Sequence, residues 1–228
     1  MKVTKTLSVI VILACAPVVI SAQLGGLKRA APSSAPASAE SSQTDALSAD
    51  AMQQELVRDF LKGNRLILQA NRHFLEALVG KEEAEKYFLD AQAISGDDLS
   101  KGNLEKATVL TSATSAAVEE FMQKGEELSD EAKAEFARGL VPYAKGVYET
   151  AKLRASAQRF SQTAQQEIRS ANVMNASRVR GQLEGGLYVA TQLPGYLKSL
   201  TDSTSAIFEF ARNQGIEVPA DATAALQF

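Results

Sequence analysis

The chain has 228 residues, with 27 acidic against 24 basic side chains, one histidine, one cysteine and no tryptophan. A slightly acidic balance argues against a nucleic-acid partner, which calls for a basic face. A single cysteine excludes an internal disulfide framework and a cysteine-rich metal centre.

Residues 1–22 read as a secretory signal peptide. Lys2 and Lys5 supply the positive start, Leu7 to Ile20 is an uncharged apolar run broken by Pro17, and Ile20-Ser21-Ala22 offers small residues for cleavage after Ala22. The alternative is a lipoprotein signal. Ile12-Leu13-Ala14-Cys15 resembles a lipobox in which Cys15 becomes the acylated first residue, but the apolar run continues through Ala16 to Ile20, which favours Ala22. The run is too short for a transmembrane anchor of roughly 20 residues. The expectation is a periplasmic or secreted protein of a bacterial envelope, with no integral span in the mature chain. Cleavage removes two lysines and no acid, leaving 24 − 2 = 22 bases against 27 acids, a net charge of −5, and no cysteine.

Residues 23–44 form an Ala/Ser/Pro linker, which buries too little apolar surface to offset its ordering entropy. Residues 45–228 are rich in Ala, Leu, Glu, Lys and Gln and lack strand alternation, so they are expected to make one all-α domain. The first helix is the clearest. Arg58, Lys62, Arg65, Gln69, Arg72 and Glu76 form a polar stripe opposite Leu56, Phe60, Ile67, Phe74 and Leu78. Asp45 or Ser48 caps it and Gly80 ends it.

A shorter helix is expected from Lys81 to Ile94, and another from Leu99 to Lys124, closed by Gly125. Ser129 caps a fourth, which Pro142 kinks or interrupts before the pattern resumes from Tyr143 to about Arg180. Gly185-Gly186 marks a bend. Pro194-Gly195 is expected to end a helix after Leu193 and redirect the chain into a last helix from Tyr196 to Asn213, stopped by Gly215. The tail from Val218 is expected to be irregular. The sum is an elongated antiparallel bundle of about five to seven helices.

No reaction centre stands out. His73 is the sole histidine and borders the polar stripe, so neither a zinc site, a ferritin-type di-metal site nor a haem pair can be assembled around it, and no cofactor is expected. There is no nucleophile elbow or phosphate loop. The acidic runs Glu82-Glu83-Glu85 and Glu119-Glu120 read as solvated faces.

Charge is unevenly spread. Residues 76–135 hold 15 acids and 6 bases, a net of −9, whereas residues 136–198 hold 9 bases and 3 acids, a net of +6. Complementary pairing between helices accounts for this blandly. The sharper reading is an anionic-partner face at Lys152, Arg154, Arg159, Arg169, Arg178 and Arg180, meeting an envelope protein or an anionic lipid surface. Tyr143, Tyr148, Tyr188 and Tyr196 form a candidate ligand groove between helices. Asn64, Asn71, Asn172 and Asn175 sit among small residues, where they either pair helices or line a groove.

The expected function is a non-enzymatic binding or structural protein of the envelope, the alternative a periplasmic carrier of a lipid or other small apolar ligand. The mature N-terminus is the first check. Mass spectrometry of the exported protein should find it beginning at Gln23, and an acylated Cys15 would make the linker a membrane tether instead.

Overall fold

A computed structural model describes residues 48–91, 94 and 98–226. Seven helices and no strand occur among them: α1 (Ala49–Val79), α2 (Lys81–Lys86), α3 (Lys101–Gln123), α4 (Asp130–Ser170), α5 (Val173–Gln182), α6 (Glu184–Asn213) and α7 (Ala220–Ala225). The domain is an all-α bundle, as expected. None of the described helices is long and apolar enough to cross a membrane. The signal peptide and linker readings fall outside the described residues.

The helix ends follow local chemistry. Ser48, Ser100 and Ser129 each accept a hydrogen bond from a backbone N–H three residues on, capping α1, α3 and α4. Gly80 follows α1 with φ of 83°, and Gly125 and Gly215 adopt φ of 67° and 70°, a region open to glycine at little cost.

The core is built on the pair α1 and α4. On α1, the buried positions Leu56, Phe60, Gly63, Ile67, Ala70, Phe74 and Ala77 recur in alternating steps of four and three. On α4, the same rhythm runs through Phe136, Gly139, Tyr143, Gly146, Thr150, Leu153, Ala157, Phe160 and Ala164. This is a heptad seam. The two strips run in opposite directions: Ala49 N–H bonds Glu167 at one end, Lys62 pairs with Glu149 in the middle, and His73 meets Glu135 at the other. Where they cross, the backbones nearly touch. A Cβ on Gly146 would lie 2.7 Å from Ile67 Cγ1 and 3.0 Å from the Gly63 carbonyl oxygen, and one on Gly139 would lie 2.5 Å from the Phe74 ring.

The remaining long helices dock on this pair. Gln53 holds Gln182 and Gly186, and further along the same helix Asn64 bonds Tyr196, so α6 runs parallel to α1 and against α4. Asn71 bonds Thr114 and Ser115 on α3, which also contacts α6. The segment after α2 returns along α1, shown by Arg72 stacking on Phe88 at 4.5 Å, and lets α3 run in the same sense as α1.

Several local expectations are corrected. Pro194-Gly195 does not end a helix, because α6 is continuous through it. Buried residues flank it on one stripe (Val189, Leu193, Tyr196, Leu197 and Leu200), while Pro194 and Gly195 face solvent. Packing on both sides holds the helix together across the hydrogen bond that proline cannot make. Pro142 likewise lies inside α4. Gly185 and Gly186 belong to the first turn of α6 and are buried there, since a Cβ on Gly186 would lie 2.5 Å from the Phe160 ring.

The segment expected to reach Arg180 stops at Ser170, and Asn172 caps a separate α5. The helix from Lys81 is only six residues long, followed by turns. The tail is not irregular throughout, because Pro219 precedes α7 and Ala222 is buried.

Two glycines test this picture. Gly146→Ala should destabilise by about 1–3 kcal/mol, because the new methyl meets backbone as well as side chain. Gly195→Ala has open space and a helical neighbourhood, so it should stabilise by about 0.5–1 kcal/mol. Denaturant midpoints measure both, and a destabilised Gly195→Ala would restore the break at Pro194-Gly195.

Candidate functional surfaces

The four tyrosines do not share one groove. Tyr143 and Tyr196 are core residues. The Tyr196 hydroxyl donates to Asn64 Oδ1 at 3.0 Å, and the Tyr143 hydroxyl donates to the Leu200 carbonyl at 3.4 Å. Burial pushes both phenols far above the ordinary tyrosine range, so they stay neutral. Tyr148 lies at the surface with the Lys152 ammonium 5.2 Å from its ring. Tyr188 lies beside Arg180 in a shallow groove of about 580 Å³ near the start of α6.

The asparagines divide in the same way. Asn64 and Asn71 are buried. Asn71 donates to Thr114 Oγ1 at 2.9 Å and to Ser115 Oγ at 3.0 Å, tying α1 to α3, while its Oδ1 finds no partner among the described residues. Asn64 joins α1 to α6 and also reaches a cleft of about 370 Å³ beside α1. That cleft has apolar walls from Leu61, Leu68, Phe88 and Ile94, with Arg65 and Arg72 alongside. Arg72 is held by Glu85. Asn172 and Asn175 are exposed and neither pairs long helices nor lines a buried groove: Asn172 accepts from the Asn175 N–H to cap α5.

The six basic residues are all exposed but do not form one face. Lys152 is drawn to Glu149 at 3.5 Å, beside the Lys62 pair. Burial alone would raise the Glu149 carboxyl, but Lys62 and Lys152 outweigh it and hold the group below its usual range. Arg154 points along a different side of α4, lining a groove against Pro194 and Leu197 of α6. Arg169, Arg178 and Arg180 gather at one end of the bundle, on and just before α5.

That end carries the feature that sequence reasoning missed. α5 has no buried residue. Val173 and Met174, adjacent in its first turn, are 94% and 90% exposed. No acid occurs from Ile168 to Leu183, a stretch that holds all three arginines. A signal was available: an asparagine cap, an apolar pair, and then no continuation of the apolar rhythm.

His73 is accounted for by structure. Its Nδ1 lies 2.7 Å from Glu135 Oε1, half-buried between α1 and α4, and Arg138 reaches the other carboxylate oxygen at 2.8 Å. Among the described residues no three His, Cys, Asp or Glu side chains are placed to hold a metal ion. No family model, no curated protein and no solved structure matches this chain.

The His73–Glu135 contact has a pH signature. The His73 hydrogen bond holds the Glu135 carboxyl below its ordinary value of 4.5. A lowered folded value means the stabilisation is fully present above the unfolded value and is lost as pH falls through the folded one. Glu135→Gln should therefore melt below wild type near neutral pH, with the gap closing in acid. A gap that stays constant with pH would show that Glu135 acts by packing alone.

Proposed function

We propose that the chain is an exported, non-enzymatic binding module of the bacterial cell envelope, which meets an anionic partner through the α5 end of its bundle. One observation carries this reading: two large apolar side chains stand almost wholly in solvent within an acid-free stretch bearing three arginines. Isolated exposed apolar residues are ordinary on protein surfaces. An adjacent pair on a helix that buries nothing, flanked by one sign of charge, has the composition of a contact surface. The remaining titratable pairs have structural reasons for their placement, as in Lys62–Glu149 and His73–Glu135. The export part of the reading rests on the leader sequence.

A second reading, a carrier of a small apolar ligand, is favoured by the cleft beside α1. Its volume of about 370 Å³ falls within the range of small-molecule sites.

Retention in the envelope tests the first reading. In cells exporting the chain, wild-type protein should stay with the envelope membranes at low salt and leave at high salt. Reversing the end charges (Arg169→Glu, Arg178→Glu and Arg180→Glu together) should release it. Arg154→Glu with Arg159→Glu, farther along α4, should not. Unchanged retention of the triple variant would overturn the assignment of the α5 end.

A further inference from the structure

We infer that the partner of the α5 end is the surface of an anionic phospholipid bilayer. On this inference, Val173 and Met174 enter the headgroup region, and Arg169, Arg178 and Arg180 meet lipid phosphates. This rests on the reading above that the α5 end is the binding face.

The helix is arranged for such a surface. At about 100° per residue, Arg180, Val173, Met174 and Arg178 fall on one arc of about 160°. Val179 and Ala176, on the other side, are half-buried against the bundle. The outward arc thus combines apolar and cationic side chains, the composition of a helix that lies in a membrane interface. The fold does not need that arc for its own packing.

Size separates lipid from protein as the partner. A stable protein interface buries upwards of about 1,000 Å². α5 is ten residues long, about 15 Å, and offers two large apolar side chains. That is small for a protein contact. A bilayer needs no shape complement, and each arginine near an anionic surface strengthens binding about fivefold.

The test uses the purified mature chain and protein-free vesicles in a sedimentation assay. The protein should bind vesicles of phosphatidylcholine mixed with phosphatidylglycerol and not phosphatidylcholine alone. Replacing the three arginines by glutamine should weaken binding about a hundredfold. Val173→Ser with Met174→Ser should weaken it at least about tenfold. All variants should melt like wild type, because the altered side chains are exposed. Absence of binding, equal binding to both vesicle types, or wild-type binding by the serine variant would overturn the inference. If vesicles fail while envelope retention still depends on the arginines, the lipid assignment falls, the docking reading survives, and an acidic protein is the partner. If both fail, the docking reading falls as well.

Discussion

Everything in this domain is placed from the line along which α1 and α4 touch. Gly63 faces Gly146 across that line, and neither position has room for a methyl group. The consequence is close backbone approach over a long contact, with Phe74, Phe136 and Tyr143 clustered at one end, where ring centroids of Phe74 and Phe136 are 4.5 Å apart. Small residues at the crossing and aromatic residues beyond it make the register unambiguous. A slip of one turn would take Phe74 out of the space that Gly139 leaves for it. Dispersion contacts are individually tiny, so such a seam is strong only because it is long and without gaps.

Polar groups then fix what the seam leaves open. Asn64 and Tyr196 are both buried, and each leaves the other unsatisfied if α6 slides. Asn71 does the same for α3. A buried polar atom without a partner costs about 1–3 kcal/mol, so these pairs select one arrangement of helices by penalising the others. The surface ion pairs add little of this kind, because exposed charges are screened.

Much of this was legible in the residues. The polar stripe from Arg58 to Glu76 and the capping serines Ser48 and Ser129 placed α1 and the start of α4, since both signals are local. The prolines misled for the opposite reason. Pro142 and Pro194 carry a local preference against helix, which the apolar stripes on either side of each override. Gly139 and Gly146 were silent and Gly185-Gly186 read as a bend, because a glycine that admits a neighbouring helix looks in sequence like one that breaks its own. The candidate surface was half visible. The arginines announced themselves by charge, and the acid three residues before Lys152 was the local sign that set it apart from Arg169, Arg178 and Arg180. Val173 and Met174 have meaning only once α5 is seen to bury nothing.

That last property separates two demands that proteins often satisfy with the same residues. Substitutions along the α1–α4 seam act on the stability of the whole domain, whereas substitutions on the outer arc of α5 fall in the class that changes stability by about ±0.5 kcal/mol or less. The end of the bundle is thus a replaceable head on a rigid stem. Its chemistry can be rewritten, by mutation or by design, from arginine to acid or from methionine to a bulkier side chain, without renegotiating the packing that holds it in place.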